Sequence, residues 1–148
     1  MKIKKINIIA EIGVNHNGDL NLAKELIYAA SEANADSVKF QTFKSSSFVT
    51  KNAKKALYQK LNQNKNETQL AMLKKLEINL FFHQEIIQLC KKLNIDFLSS
   101  AFDIESAILL NNLNLKRYKI PSGEINNFPY LKIIGSFKRK ILLSTGMS

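Results

Sequence analysis

A fivefold alternation of strand-like and helix-like segments restricts the fold of this sequence more than any other feature. Residues 6–12 form an apolar run ending at Gly13, and Asn15-His16-Asn17-Gly18 is a turn signal. Asp19 can cap a helix over 20–33, where Leu22, Leu26, Ile27 and Ala30 recur at helical spacing. A second strand over 37–43 completes a βαβ unit, which favours a parallel sheet. Residues 44–77 read as a polar, Lys/Asn-rich excursion with short helices around 56–61 and 68–76. The alternation then resumes: helix 80–93, strand 95–100, helix 104–113 capped by Asp103, strand 116–121, helix 129–137 and strand 140–144.

No Gly-x-Gly-x-x-Gly follows the first strand, which argues against a dinucleotide-binding fold. A barrel and a flavodoxin-like sheet remain. Glu11, Lys39, Gln41, Ser100, Lys119, Ser122 and Ser144 all fall at or just beyond the C-terminal ends of the five strands. That is where a (β/α)8 barrel carries its active site, so the expected class is α/β, an N-terminal portion of a TIM barrel with about five of eight strands.

Composition narrows the function classes. The 148 residues are 45% hydrophobic, enough for one domain with a core, and no stretch approaches the roughly 18 apolar residues that span a bilayer. A cytoplasmic protein with no membrane partner is expected. The formal charge of +10 permits polyanion binding, but the lysines are scattered, and over 51–65 they interleave with asparagine. Without an arginine-rich reading helix or an aromatic RNA-binding signature, nucleic acid is not the expected partner. Cys90, the single cysteine, reads as a buried structural thiol.

Strand alternation places Lys39, Gln41 and Phe43 on one face and Val38, Phe40 and Thr42 on the other. A lysine inside a barrel needs an anion beside it, either Glu11, Glu124 or an acidic ligand. Tyr118-Lys119-Ile120-Pro121-Ser122-Gly123-Glu124 puts an ammonium, a hydroxyl and a carboxylate close together. Ser122 can donate to an anion, and Glu124 is a candidate acid or base. A plain Pro-Ser-Gly turn accounts for the centre of that stretch equally well. His16 suits either a side-chain-stabilised turn or a catalytic loop, and His83 reads as a surface or packing residue. No local cluster has metal-ligand spacing, and neither a nucleophile pair nor a P-loop is present.

Four segments, Ala10-Glu11-Ile12-Gly13-Val14-Asn15-His16-Asn17-Gly18, Val38-Lys39-Phe40-Gln41-Thr42-Phe43, Tyr118 to Glu124, and Leu143-Ser144-Thr145-Gly146-Met147, together resemble the N-acetylneuraminate (sialic acid) synthase family. The first segment looks more like the sialic or legionaminic branches than the pseudaminic one. The resemblance implies a phosphoenolpyruvate-dependent transferase that forms a C–C bond. Its substrates would be phosphoenolpyruvate and an N-acetylated hexosamine, N-acetylmannosamine giving N-acetylneuraminic acid, in sialic acid and surface polysaccharide biosynthesis. Lys39 and Lys119 would hold the phosphate and carboxylate, with Ser100, Ser122 and Ser144 donating hydrogen bonds. Ser100 departs from the family's common threonine but keeps the hydroxyl. Gln41 and Phe102 would line the sugar side, Glu11 would approach the sugar, and Glu124 would manage protons at the enol carbon.

The resemblance also implies a divalent metal, Mn2+ ahead of Mg2+ or Co2+, held by histidines from later strands outside residues 1–148. A homodimer would form through a C-terminal antifreeze-like domain. The 148 residues are therefore expected to be an N-terminal portion of a longer protein, inactive alone and prone to aggregate through open sheet edges. Two other readings stay open: a Schiff-base aldolase barrel using Lys39 or Lys119, and a non-catalytic anion-binding module.

Overall fold

The computed structural model describes residues 6–48 and 68–148. Five strands, β1 (Ile9–Gly13), β2 (Ser37–Thr42), β3 (Asp96–Ala101), β4 (Arg117–Ile120) and β5 (Lys140–Leu143), form one sheet in sequential order. Every neighbouring pair is parallel. A doubly wound sheet must reverse its strand order part-way, and this one does not, which removes the flavodoxin-like alternative and leaves the winding of a barrel. The helices are α1 (Leu20–Glu32), α2 (Ser45–Phe48), α3 (Gln69–Leu76), α4 (Leu80–Lys92), α5 (Ile104–Asn112) and α6 (Phe128–Ser136). The short helix expected over 56–61 lies outside the described residues. Among the described residues no helix is long and apolar enough to cross a membrane.

Alternation along the strands sorts the side chains onto two faces. Val38 and Phe40, with Ile12, pack against Ala23, Ile27 and Ala30 of α1 and Phe82, Ile86 and Leu89 of α4. Ala101, Tyr118 and Ile120 pack in the same way against Ala107 and Leu110 of α5 and Tyr130 and Ile134 of α6. Each fully buried Ile or Leu contributes about 1.5–3 kcal/mol, so these two layers hold the helices to one side of the sheet. The other side receives Glu11, Lys39, Gln41, Ser100, Arg117 and Lys119. Strand β2 ends at Thr42, one residue before the expected end, and Phe43 instead packs with Met72 and Leu73 of α3.

Helix starts follow the sequence. Asp19 Oδ1 accepts from the N–H groups of Asn21 and Leu22, and Asp103 Oδ1 accepts from Ser106 N–H at 2.7 Å. Asp103 Oδ2 also accepts from the Lys44 N–H at 2.8 Å, tying the turn after β2 to the start of α5. Glu77 completes the anchoring, accepting from Ser45 N–H and Oγ–H and pairing with Lys44 Nζ at 3.2 Å. Cys90 is buried in α4, where desolvation pushes its thiol up to about 12 and leaves it inert at neutral pH.

His83 forms a polar chain across the helix–sheet interface that sequence reading misses. The carbonyl of Asn79 can only accept, so His83 Nδ1–H donates to it at 2.8 Å and Nε2 is left as an acceptor for Thr42 Oγ1–H at 2.9 Å. Ser99 Oγ lies 2.7 Å from Thr42 Oγ1, and the remaining acceptor capacity of Thr42 makes Ser99 the donor. His83 is buried, and that burial favours the neutral ring this arrangement uses. His16 is also buried, lying near the rings of Phe40 and Phe82, with Nδ1 accepting the Gly18 N–H at 3.0 Å. Burial lowers both histidine pKa values below the ordinary 6.5.

Two predictions follow from this packing. Gly18 has φ +80°, and a Cβ there would meet the Lys75 carbonyl oxygen at 2.2 Å, so Gly18→Ala should cost about 3 kcal/mol in urea denaturation. Because both histidines are neutral in the fold but take up protons near pH 6.5 when unfolded, stability is fully present above that pH and is lost as pH falls through it. Stability followed by urea denaturation should therefore decline as pH falls below about 6.5, and His83→Gln should remove part of that decline.

Candidate functional site

The register aligns the polar side chains that strand alternation turns away from the helices. Glu11 pairs with Lys39 across β1 and β2, Gln41 pairs with Ser100 across β2 and β3, and Ser100 pairs with Lys119 across β3 and β4. These partners belong to four adjacent strands and lie on one face towards the same end. Lys39 Nζ meets Glu11 Oε2 at 2.6 Å and approaches Ser100 Oγ at 3.4 Å. Lys39 is 13% exposed and Glu11 51%, so an enclosed ammonium is neutralised by a carboxylate that reaches solvent.

Lys119 Nζ donates to the Ile120 carbonyl at 3.0 Å. Burial and then repulsion from Lys39 hold its pKa below the ordinary lysine range, with Glu11 partly offsetting them. The two lysines lie on the same face of the sheet, with β3 between their strands. Ser100, 2% exposed, sits on the strand between them.

Gly13 gives this corner its shape. A bulge in β1 shifts the register between Glu11 and Gly13, and Gly13 adopts φ +58°. A Cβ at that position would lie 3.2 Å from Glu11 Oε1 and 3.6 Å from Gln41 Nε2. Glycine thus lets the carboxylate and amide close over the backbone.

The remaining expected residues border this group. Ser144 follows β5, and its N–H donates to the Ile120 carbonyl at 3.1 Å, bringing it beside the end of β4. Ser122 and Glu124 form a single 3-10 turn, Ser122–Glu124, directly after β4. The Glu124 carboxylate accepts from Asn127 Nδ2 at 2.6 Å, so it is held by the start of α6 and not by either lysine. Phe102 packs edge-on to Phe43 at 6.4 Å, on the rim beyond β2 and β3. His16 is the residue that does not join the site: its ring is wholly buried among Phe40 and Phe82 on the helix side, which removes the catalytic-loop reading. Asn127 escaped sequence reading because a helix-capping asparagine carries no sign that it will also hold a glutamate.

Among the described residues no three His, Cys, Asp or Glu side chains converge as a cation would require, so these residues do not fit a divalent metal. The ammonium, hydroxyl and carboxylate groups present can bind an anion, orient a substrate and move protons.

Known proteins are similar to this chain in sequence and in fold. The chain is 57% identical over 146 residues to N,N'-diacetyllegionaminic acid synthase of Campylobacter jejuni, a match that covers 99% of this chain and 44% of that protein. It is 54% identical to the enzyme of the same name from Legionella pneumophila, covering 95% of this chain and 39% of that protein. The crystal structure of N-acetylneuraminic acid (sialic acid) synthetase from Leptospira borgpetersenii superposes with a TM-score of 0.78 at 28% identity, over 98% of this chain and 46% of that one. The chain thus spans less than half the length of the relatives it matches. The NeuB family pattern matches residues 26–148, a span that takes in Lys39, Ser100, Lys119 and every other strand-end group named above except Glu11 and Gly13 of β1, and the chain belongs to the NeuB family.

Proposed function

We propose that this chain is the N-terminal portion of the barrel of a sialic-acid-type synthase, which condenses phosphoenolpyruvate with an N-acetylated amino sugar. The pairing of Lys39 and Lys119 on one face about Ser100 supports this reading most strongly. Phosphoenolpyruvate carries a phosphate and a carboxylate on a three-carbon frame, and two neighbouring ammonium groups with a buried hydroxyl between them complement it. The ligand phosphate would displace Glu11 from Lys39 and free that carboxylate towards the sugar. The C2=C3 π pair of phosphoenolpyruvate then bonds C3 to the sugar aldehyde carbon as the aldehyde oxygen takes up a proton; water adds at C2, and the C2–O bond to phosphate breaks to leave a C2 ketone and free phosphate. Glu124, positioned by Asn127, would take the proton of the adding water. Ser122 and Ser144 would donate to the anion, while Gln41 and Phe102 would border the sugar.

The sugar is the finer question. Sequence reading places N-acetylmannosamine first. Identities of 57% and 54% to two legionaminic acid synthases, against 28% to the sialic acid synthetase, shift the proposal to the 6-deoxy, diacetamido analogue. The Mn2+ or similar ion implied by the family would take its ligands from outside the described residues, as would the contacts of a homodimer. A second reading, the Schiff-base aldolase, rests on Lys119 being partly enclosed on the same face as Lys39, which lowers its pKa in the direction that favours a nucleophilic amine.

Three measurements decide these points. Lys39→Met and Lys119→Met, each removing a charge-assisted contact of about 1.5–3 kcal/mol, should weaken phosphoenolpyruvate binding roughly 10–100-fold by calorimetry. Unchanged affinity in both would remove the pocket. Borohydride treatment with pyruvate should give no adduct on either lysine, whereas an adduct would establish the aldolase reading. In a substrate panel with the full-length protein, the diacetamido sugar should be turned over in preference to N-acetylmannosamine.

A further inference from the structure

His16 lies outside the polar face, yet its ring carries a cost that a turn alone does not require. Nδ1 accepts the Gly18 N–H at 3.0 Å, so a neutral ring has its proton on Nε2. Nε2 is buried with no hydrogen-bond partner among the described residues, and the ring has no exposed surface through which another group could reach it. A stranded donor of this kind calls for a reason. Asparagine would accept the same N–H two residues on, but is too short to pack between the rings of Phe40 and Phe82. Phenylalanine would fill the space and leave the Gly18 N–H unpaired. Histidine supplies both an acceptor for the turn and a flat ring to pack.

That ring ties down the stretch of chain that carries Glu11. Its centroid lies 5.9 Å from that of Phe40, stacked at 29°, and 5.3 Å from that of Phe82 in α4. On the other face of the same strand, Glu11 holds Lys39, the residue before Phe40, at 2.6 Å. Residues 11–16 therefore grip the end of β2 from both faces, by an ion pair in front and a ring behind. Between the two grips lies the bulge, where Gly13 pairs with Phe40 in the register at φ +58° and its backbone runs beside the Glu11 carboxylate. Three turns then close in succession: Asn15 N–H donates to the Ile12 carbonyl, Asn17 N–H to Val14 and Asp19 N–H to His16. Gly18, within the last of them, abuts the Lys75 carbonyl of α3. Fixing the loop at both ends sets the path of the bulge, and with it the direction of Glu11.

We infer that His16 is a positioning residue for Glu11: from behind β2 it fixes the β1–α1 loop so that the carboxylate stands beside Gly13 and against Lys39. The ring touches no substrate. Removing it should loosen Glu11 while Lys39, Ser100 and Lys119 stay on their own strands, so the two halves of the pocket should respond differently. This inference deepens the synthase reading and rests on it, since there Glu11 serves the sugar and the lysines serve phosphoenolpyruvate.

The test uses the full-length protein with His16→Phe, which keeps a ring, and His16→Asn, which keeps an acceptor. Leu110→Val, a core change in α5 remote from the loop, is the control for lost stability. Both histidine variants should lower kcat/KM for the amino sugar roughly 10–100-fold, with phosphoenolpyruvate affinity by calorimetry within about twofold of wild type. Leu110→Val should lower the melting temperature without that split. Independently of turnover, the Lys39 ammonium, 13% exposed and paired with Glu11, should give a slowly exchanging 15N–1H signal in wild type and in Leu110→Val. The same signal should be lost in both histidine variants. Full kcat/KM in both of them, a parallel loss of phosphoenolpyruvate affinity, the same split in Leu110→Val, or an unchanged Lys39 signal would each overturn the inference. A wild-type protein that condenses neither sugar, with the Lys39 signal responding as stated, overturns the synthase reading and upholds the hold of His16 on Glu11.

Discussion

An ammonium enclosed in a parallel sheet must find negative charge, and the contact of Lys39 with Glu11 across β1 and β2 is the interaction on which the site depends. Taking a lysine out of water costs several kcal/mol, and an unmatched one would unfold the strand or lose its proton. The paired carboxylate satisfies it while staying half in solvent, so the pair is neutral yet open to exchange. Lys119, lacking a carboxylate of its own, rests on a backbone carbonyl and carries the strain in its protonation equilibrium.

This polar face is possible because the opposite face is almost wholly apolar. Val38, Phe40, Ile120 and Tyr118 bury themselves against four helices, so the sheet needs nothing from its other side to stay attached to them. The strands are thereby free to carry charged groups at positions where a doubly wound sheet would need aliphatic ones. Turns anchored by Asp103 and Glu77 then hold the segment after β2 in place without a large core of its own.

Much of this was legible beforehand. The alternation of strand and helix, the caps Asp19 and Asp103, and the common end of Lys39, Gln41, Ser100 and Lys119 all follow from periodicity, which is a local property. Strand order was not local and needed the structure. The two histidines were the least readable residues. His83 read as a surface or packing residue and proves to be packed, but a helical histidine gives no sign of the Thr42 hydroxyl it meets 41 residues away, nor of Ser99 behind it. His16, in a sequence that suits a catalytic loop, is drawn under Phe40 and Phe82 because α4 folds back over it. The end of β2 was placed one residue late because Phe43 continues the apolar pattern, yet packs on α3 beyond the ladder. The hold of Asn127 on Glu124 depends on a side chain serving two masters, which no spacing rule encodes.

The bulge at Gly13 also limits how this corner can change. With the left-handed backbone at 13 and the Glu11 and Gln41 side chains 3.2 and 3.6 Å from where a methyl would stand, the chain has little slack there. A different guest can be accommodated by exchanging what occupies positions 11 and 41, but not by reshaping the loop beneath them.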